Sequence, residues 1–173
     1  MTVPGVDSGA ETTPGLARRF ACFLYEGVLL FGVVMAAGLV YSIATNQRHA
    51  LVGTGGMRAF LFAVLGVYFV WFWSRHGQTL AQRTWRMQLL TRQGLPLGPG
   101  RALLRYLLSW MWFMPALLAL QVSGLKGTAP TLAALIAGAV AYAALSRIHP
   151  TRQYLHDLAC GTKLVDWQPA PKL

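Results

Sequence analysis

Four apolar runs, about Phe20 to Ala44, Met57 to Ser74, Ala102 to Val122 and Ala129 to Ser146, alternate with short polar segments rich in Gly, Pro and Arg. Each run spans roughly 18 to 25 residues, and at about 1.5 Å rise per residue that length matches a bilayer core of about 30 Å. The pattern predicts an all-α membrane protein, a four-transmembrane-helix bundle. Between the second and third runs, GQTLAQRTWRM places Leu80, Thr84 and Met87 on one helical face and Gln82, Arg83 and Arg86 toward another. Such a segment reads as a cytoplasmic amphipathic helix lying at the interface. Met87 to Arg92 then alternates and ends at Gln93-Gly94, which predicts a short strand closed by a turn.

After the fourth run, Pro150 stops the helix, Thr151 caps a new short one over Arg152 to Ala159, and Gly161 terminates it. Thr162 to Trp167 again reads as extended, and it is expected to pair with Met87 to Arg92, clipping the tail onto the middle loop. A two-stranded β ribbon is marginal in water by itself, so packing beneath it is required. The expected organisation is a disordered cytoplasmic tail over residues 1–15, a membrane domain over 16–167 and a C-terminal tail over 168–173.

Charge orients this arrangement. Twelve of the fifteen Lys and Arg residues fall in one alternate set of loops: Arg18 and Arg19; Arg75, Arg83, Arg86, Arg92, Arg101 and Arg105; Arg147, Arg152, Lys163 and Lys172. The opposite set holds Arg48, Arg58 and Lys126. Short basic loops stay inside, so both termini and the middle loop are expected in the cytoplasm. Cations in these positions meet anionic lipid headgroups, and a nucleic-acid partner is not expected.

Composition agrees: 55% of residues are hydrophobic and 12% charged, which leaves little chain for a soluble domain. Cys22 and Cys160 lie toward the reducing side and read as small packing residues, not a disulfide. The first run is too long for a signal-peptide core, contains Glu26 and precedes three more runs, so it is expected to stay as an anchor.

Glu26 is the sharpest chemical signal. It lies two helical turns beyond Arg19 on the same face, at a depth of roughly 10 Å, where an ionised carboxylate must be paired, protonated or wet. Arg105, entering the third run from the same side, is the expected partner, with Arg101 one turn earlier as the second choice. The simpler role is an ion pair between the first and third helices; the alternative is a proton- or cation-binding group in a transport path. Asp157 is expected to tether the middle loop through Arg83 or Arg86. His149, His156 and Glu26 lack any diagnostic metal-ligand spacing, so neither metal nor cofactor is expected.

Trp71, Phe72 and Trp73 form an expected interface belt, and Pro115 is expected to kink the third helix. Ala133, Ala137 and Ala141, with Ala134 and Gly138 alongside, and Gly32 with Ala36, predict close helix approach within the bundle or between protomers. No nucleophile elbow, phosphate-cradling loop or paired catalytic carboxylates is present, so an enzyme is not expected.

Three stretches together, ARRFACFLYEG, GQTLAQRTWRMQLLTRQG with GRALLRYL, and YLHDLACGTKLVDW, resemble the RDD family of bacterial membrane proteins, named for an arginine and two aspartates. The resemblance runs from about Leu16 to Trp167 and places the family arginine on the Arg18 and Arg19 pair, with Arg19 preferred, and the late aspartate on Asp157. The first-span aspartate falls on Glu26, a departure that keeps the charge and moves it roughly 1 to 1.5 Å further from the backbone. The resemblance implies a multi-helix membrane domain, with transport or ion exchange suggested for some members and no substrate implied. The function expected first is an accessory or assembly protein working through helix contacts with the bilayer, a membrane protein partner or a second copy; the second is a small transporter or ion exchanger using Glu26.

Overall fold

A computed structural model describes residues 13–46, 54–125, 127–148 and 154–167. Both expected tails, apart from residues 13–15, and the expected stop at Pro150 and cap at Thr151 lie outside these residues, as does His149. In chain order the elements are α1 (Leu16–Ala44), α2 (Thr54–Arg75), α3 (Leu80–Thr84), β1 (Met87–Thr91), α4 (Pro99–Ser109), a 3₁₀ turn (Trp110–Trp112), α5 (Met114–Ser123), α6 (Thr128–Ile148), α7 (Leu155–Cys160) and β2 (Thr162–Asp166).

Three helical stretches are long and apolar enough to cross a membrane: Leu16–Ala44, Gly55–Arg75 and Pro99–Ser123. The fourth run forms α6, whose apolar part, Thr128–Ala144, is shorter. Pro115 has no N–H for the Met111 carbonyl, and the third helix breaks just before it into the 3₁₀ turn from which α5 restarts. Within the bundle α1 packs on α2 and α3, α2 on α4, α4 on α7 and α5 on α6.

The expected ribbon forms. β1 and β2 pair antiparallel with Met87 opposite Asp166, Leu89 opposite Leu164 and Thr91 opposite Thr162. Every residue of β1 is buried, because Met87 and Leu89 enter a core with Trp73, Ala81, Leu97, Ala102 and Tyr106 that supplies the packing a lone ribbon lacks. Arg92 donates from Nη2 to the Leu158 carbonyl at 2.7 Å, and Arg18 pairs with Asp166, so α1, α7 and the ribbon are tied at one end of the bundle. Gly161 ends α7 in the left-handed conformation at φ 65°, as expected of a C-terminal glycine.

Two local expectations are corrected. In α3 it is Ala81 and Gln82 that face inward while Leu80 is exposed, because Gln82 is held by its neighbours and the short helix turns its apolar edge outward. Only Trp71 of the expected aromatic belt is strongly exposed, with the Arg75 guanidinium 5.1 Å from its ring; Trp73 is buried in the core. In α6 the expected close approach inside the bundle is made at Gly138, near enough to α5 that a Cβ there would meet the Ala116 Cβ at 2.9 Å, while the Ala133, Ala137 and Ala141 stripe is exposed.

Candidate functional site

The first turns of α1 bury Arg19, Cys22 and Glu26, spaced three and four residues apart and hence on one helical face. Opposite them stand Phe69 and Trp73 of α2 and Arg105 and Tyr106 of α4. Between these walls lies a cavity of about 350 Å³, lined by Arg19, Glu26, Gln82, Arg105 and His156 among its polar groups and by Phe23, Phe69 and Phe113 among its apolar ones. Both free cysteines are buried.

Glu26 is held by neutral hydroxyls. Tyr68 donates from its phenol to Oε1 at 2.7 Å, and Thr79 donates from Oγ1 to Oε2. Thr79 is also the N-cap of α3: its Oγ1 accepts from the Gln82 N–H at 3.2 Å, and Gln82 Oε1 accepts in return from the Thr79 N–H at 2.9 Å. Trp73 locks that capping box by donating from Nε1 to Gln82 Oε1 at 3.2 Å. The five-residue helix thereby fixes a hydroxyl against the carboxylate.

The expected Glu26 to Arg105 ion pair is not formed, and among the described residues no cation pairs with Glu26. Arg105 is drawn to Asp157 instead, with Nε 2.9 Å and Nη2 2.8 Å from Oδ1, because α7 packs on α4 and brings the late acid directly beneath it. The guanidinium also lies over the Trp73 ring, 4.3 Å from its centroid. Arg101, the second choice, is exposed. The expected tether from Asp157 to Arg83 or Arg86 is likewise replaced, since both arginines are exposed while Asp157 is fully buried.

Burial alone would raise the Asp157 pKa, but the Arg105 charge, with His156 and the Arg105 and Thr162 hydrogen bonds, outweighs it and holds the carboxyl below its usual range. His156 is pushed down to about 4, first by burial and then by Arg105, against the opposing pull of Asp157. Its backbone N–H donates to the Tyr142 hydroxyl at 3.0 Å, and that hydroxyl lies 3.0 Å from Nδ1. On the other side of the ring Nε2 lies 3.5 Å from both Asp157 Oδ1 and Arg105 Nη2, an acceptor and a donor.

Arg19 completes the cluster. Its guanidinium covers the Tyr154 ring at 4.6 Å, and Tyr154, His156 and Tyr142 stack with interplanar angles of 11° to 20°. Of the residues singled out in the sequence, Arg19, Glu26, Arg105 and Asp157 thus come together, and Arg83 and Arg101 stay outside. Sequence reasoning missed Tyr68, Thr79, Gln82, Tyr142 and Tyr154. The Thr79-x-x-Gln82 spacing is a capping-box signal that could have placed α3 and its hydroxyl. Among the described residues no group of three or more His, Cys, Asp or Glu comes together in a metal-binding arrangement.

Three apolar helices of membrane-crossing length, closed at one end by a two-stranded clip over a buried arginine and acid cluster, define a helical membrane protein. The RDD family model matches residues 13–161, and the chain belongs to the RDD family. No curated protein and no solved structure matches it.

Proposed function

We propose that the protein is a small membrane exchanger in which Glu26 takes up and releases a proton or a small cation. One observation carries this reading: Glu26 is buried, lines the cavity and is held by the hydroxyls of Tyr68 and Thr79 with no cation paired to it among the described residues. A carboxylate locked to a guanidinium must break an ion pair before it can trade ligands. One solvated by hydroxyls does not, since each hydroxyl can rotate to donate or accept as the occupant changes.

The topology proposed with it has four crossings, α6 being the fourth, and puts the β clip and both termini in the cytoplasm of a bacterial inner membrane. Support comes from the basic residues at the clip end, Arg75, Arg83, Arg86, Arg92 and Arg101. Neither a catalytic activity nor nucleic-acid binding is part of the proposal.

The test is proton flux in proteoliposomes under imposed cation gradients. Glu26→Gln keeps shape and hydrogen bonding while removing the charge; the reading requires it to abolish flux, and an undiminished flux would sink it. A second reading, an accessory or assembly protein, is favoured by the outward small-residue faces, since Gly32 has no atom within 4 Å of a built Cβ and the Ala133, Ala137, Ala141 stripe is exposed. It requires a copurifying membrane partner or a second copy in mild detergent, and a clean monomer at native expression counts against it.

A further inference from the structure

Arg19 is only 5% exposed, yet among the described residues its Nε and Nη1 have no hydrogen-bond partner. A buried guanidinium keeps its charge at any physiological pH, so open N–H groups on it demand an acceptor. The acids of the cluster are already engaged. Oδ1 of Asp157 takes the Arg105 fork; its Oδ2 has no hydrogen-bond partner among the described residues but lies beyond ion-pair range of Arg19, and both oxygens of Glu26 are taken by Tyr68 and Thr79. Tyr154 offers the guanidinium a ring face, which satisfies the cation's plane and leaves its edge free.

Arg19 is one of the residues lining the 350 Å³ cavity, whose surface is otherwise largely apolar, with Phe23, Leu30, Leu65, Phe69, Trp110 and Phe113 beside the polar Glu26, Gln82, Arg105 and His156. Its volume falls within the roughly 300 to 1,000 Å³ of small-molecule sites. Phe23 and Trp110 at its rim are 41% and 38% exposed, on helix faces that meet acyl chains when these helices cross a bilayer. A free inorganic anion would satisfy Arg19 and leave these apolar walls unused; a neutral chain would do the reverse.

We propose that this cavity binds one anionic amphiphile from the membrane, its carboxylate or phosphate head on Arg19 and its hydrocarbon chain along Phe69 and Phe113. The inference goes beyond the exchange reading and does not depend on it, because the head contacts Arg19 and not Glu26. The head gains charge-assisted hydrogen bonds in a site shielded from water. The chain gains contact with rings that otherwise border open space.

The full-length protein in a non-ionic detergent, titrated with dodecyl phosphate and followed by native mass spectrometry, tests this. Wild type should retain one equivalent, and Arg19→Gln should weaken retention roughly ten- to hundredfold. Because Arg19→Gln could disturb folding, Gly27→Leu provides the second arm. Gly27 lines the cavity with nothing within 4 Å of a built Cβ, so leucine there should occupy chain space, lower affinity by at least about tenfold and leave the melting temperature no lower than that of wild type. Inorganic phosphate should compete poorly and dodecyltrimethylammonium should not bind. Equal retention by Arg19→Gln, unchanged binding in a folded Gly27→Leu, equal competition by inorganic phosphate, or binding of the cationic amphiphile would each overturn the proposal. Loss of flux in Glu26→Gln with dodecyl phosphate still retained would separate this site from the exchange reading.

Discussion

Arg105 directs Nε and Nη2 onto a single oxygen, Oδ1 of Asp157, and does so where both side chains are shut away from solvent. The pair spans α4 and α7, so it carries the contact between a membrane-length helix and the clip. Removing one member leaves the other buried and uncompensated, at a cost of about 3 to 5 kcal/mol. Arg105→Met and Asp157→Leu should therefore each destabilise by about that amount, and the double variant by clearly less than their sum. Unfolding in detergent followed by tryptophan fluorescence reads this, since Trp73 lies under the guanidinium. Simple additivity would show that the two residues are not coupled.

Acid should loosen the same corner through His156. The unfolded chain binds a proton on this ring near 6.5, whereas the folded protein resists until about 4. The unfolded state thus holds more protons between those values, and stability rises with pH across that window. It is complete above about 6.5 and lost progressively as pH falls toward 4, by on the order of 3 kcal/mol at most. Asp157, held below its ordinary pKa, adds a loss of the same sign at lower pH. Melting temperatures measured from pH 7.5 to 4 should fall for wild type and stay flatter in His156→Gln; parallel curves would assign the acid sensitivity elsewhere.

How much of this was legible in the sequence depends on the range of the interaction. The helices were written in the lengths of the apolar runs, and the ribbon in the alternation of Met87 to Arg92 and Thr162 to Trp167 with Gly161 between helix and strand. These signals are local. Arg105 was matched to Glu26 by depth alone, because both enter from the same end, and depth says nothing about which helices touch. The true partner, fifty-two residues later, reaches Arg105 only because a six-residue helix folds back under α4. Glu26 was expected to need a cation, and two hydroxyls serve it instead. Tyr68 carries no charge to betray it, and the Thr79-x-x-Gln82 spacing marks a helix start but not a contact with Glu26, so only the fold reveals that pairing.

Thr79 performs two tasks with one oxygen, capping α3 and donating to Glu26. Thr79→Val keeps the volume and removes both. Loss of the cap costs about 0.5 to 2 kcal/mol, and loss of a bond to a charged group about 1.5 to 3, so a total of roughly 2 to 5 kcal/mol is expected. Thr79→Ser retains the hydroxyl and should recover most of it. Chemical unfolding of the two variants makes the comparison, and equal losses in both would show that the methyl group rather than the hydroxyl matters.

Gly138 tests whether the inward face of α6 is the one that packs. An added Cβ would sit 2.9 Å from the Ala116 Cβ, well inside van der Waals contact, so Gly138→Ala must push α6 away from α5. Alanine is the better helix former by about 1 kcal/mol, and overpacking costs about 1 to 3 kcal/mol, so the net should be a destabilisation of up to about 2 kcal/mol. Ala137→Leu, on the outward stripe, should change stability by no more than about 0.5 kcal/mol. Ala116→Gly in the Gly138→Ala background returns the missing space across the interface and should recover part of the loss. If instead Ala137→Leu is the damaging change, the exposed stripe is covered by a partner, and the assembly reading gains over the exchanger.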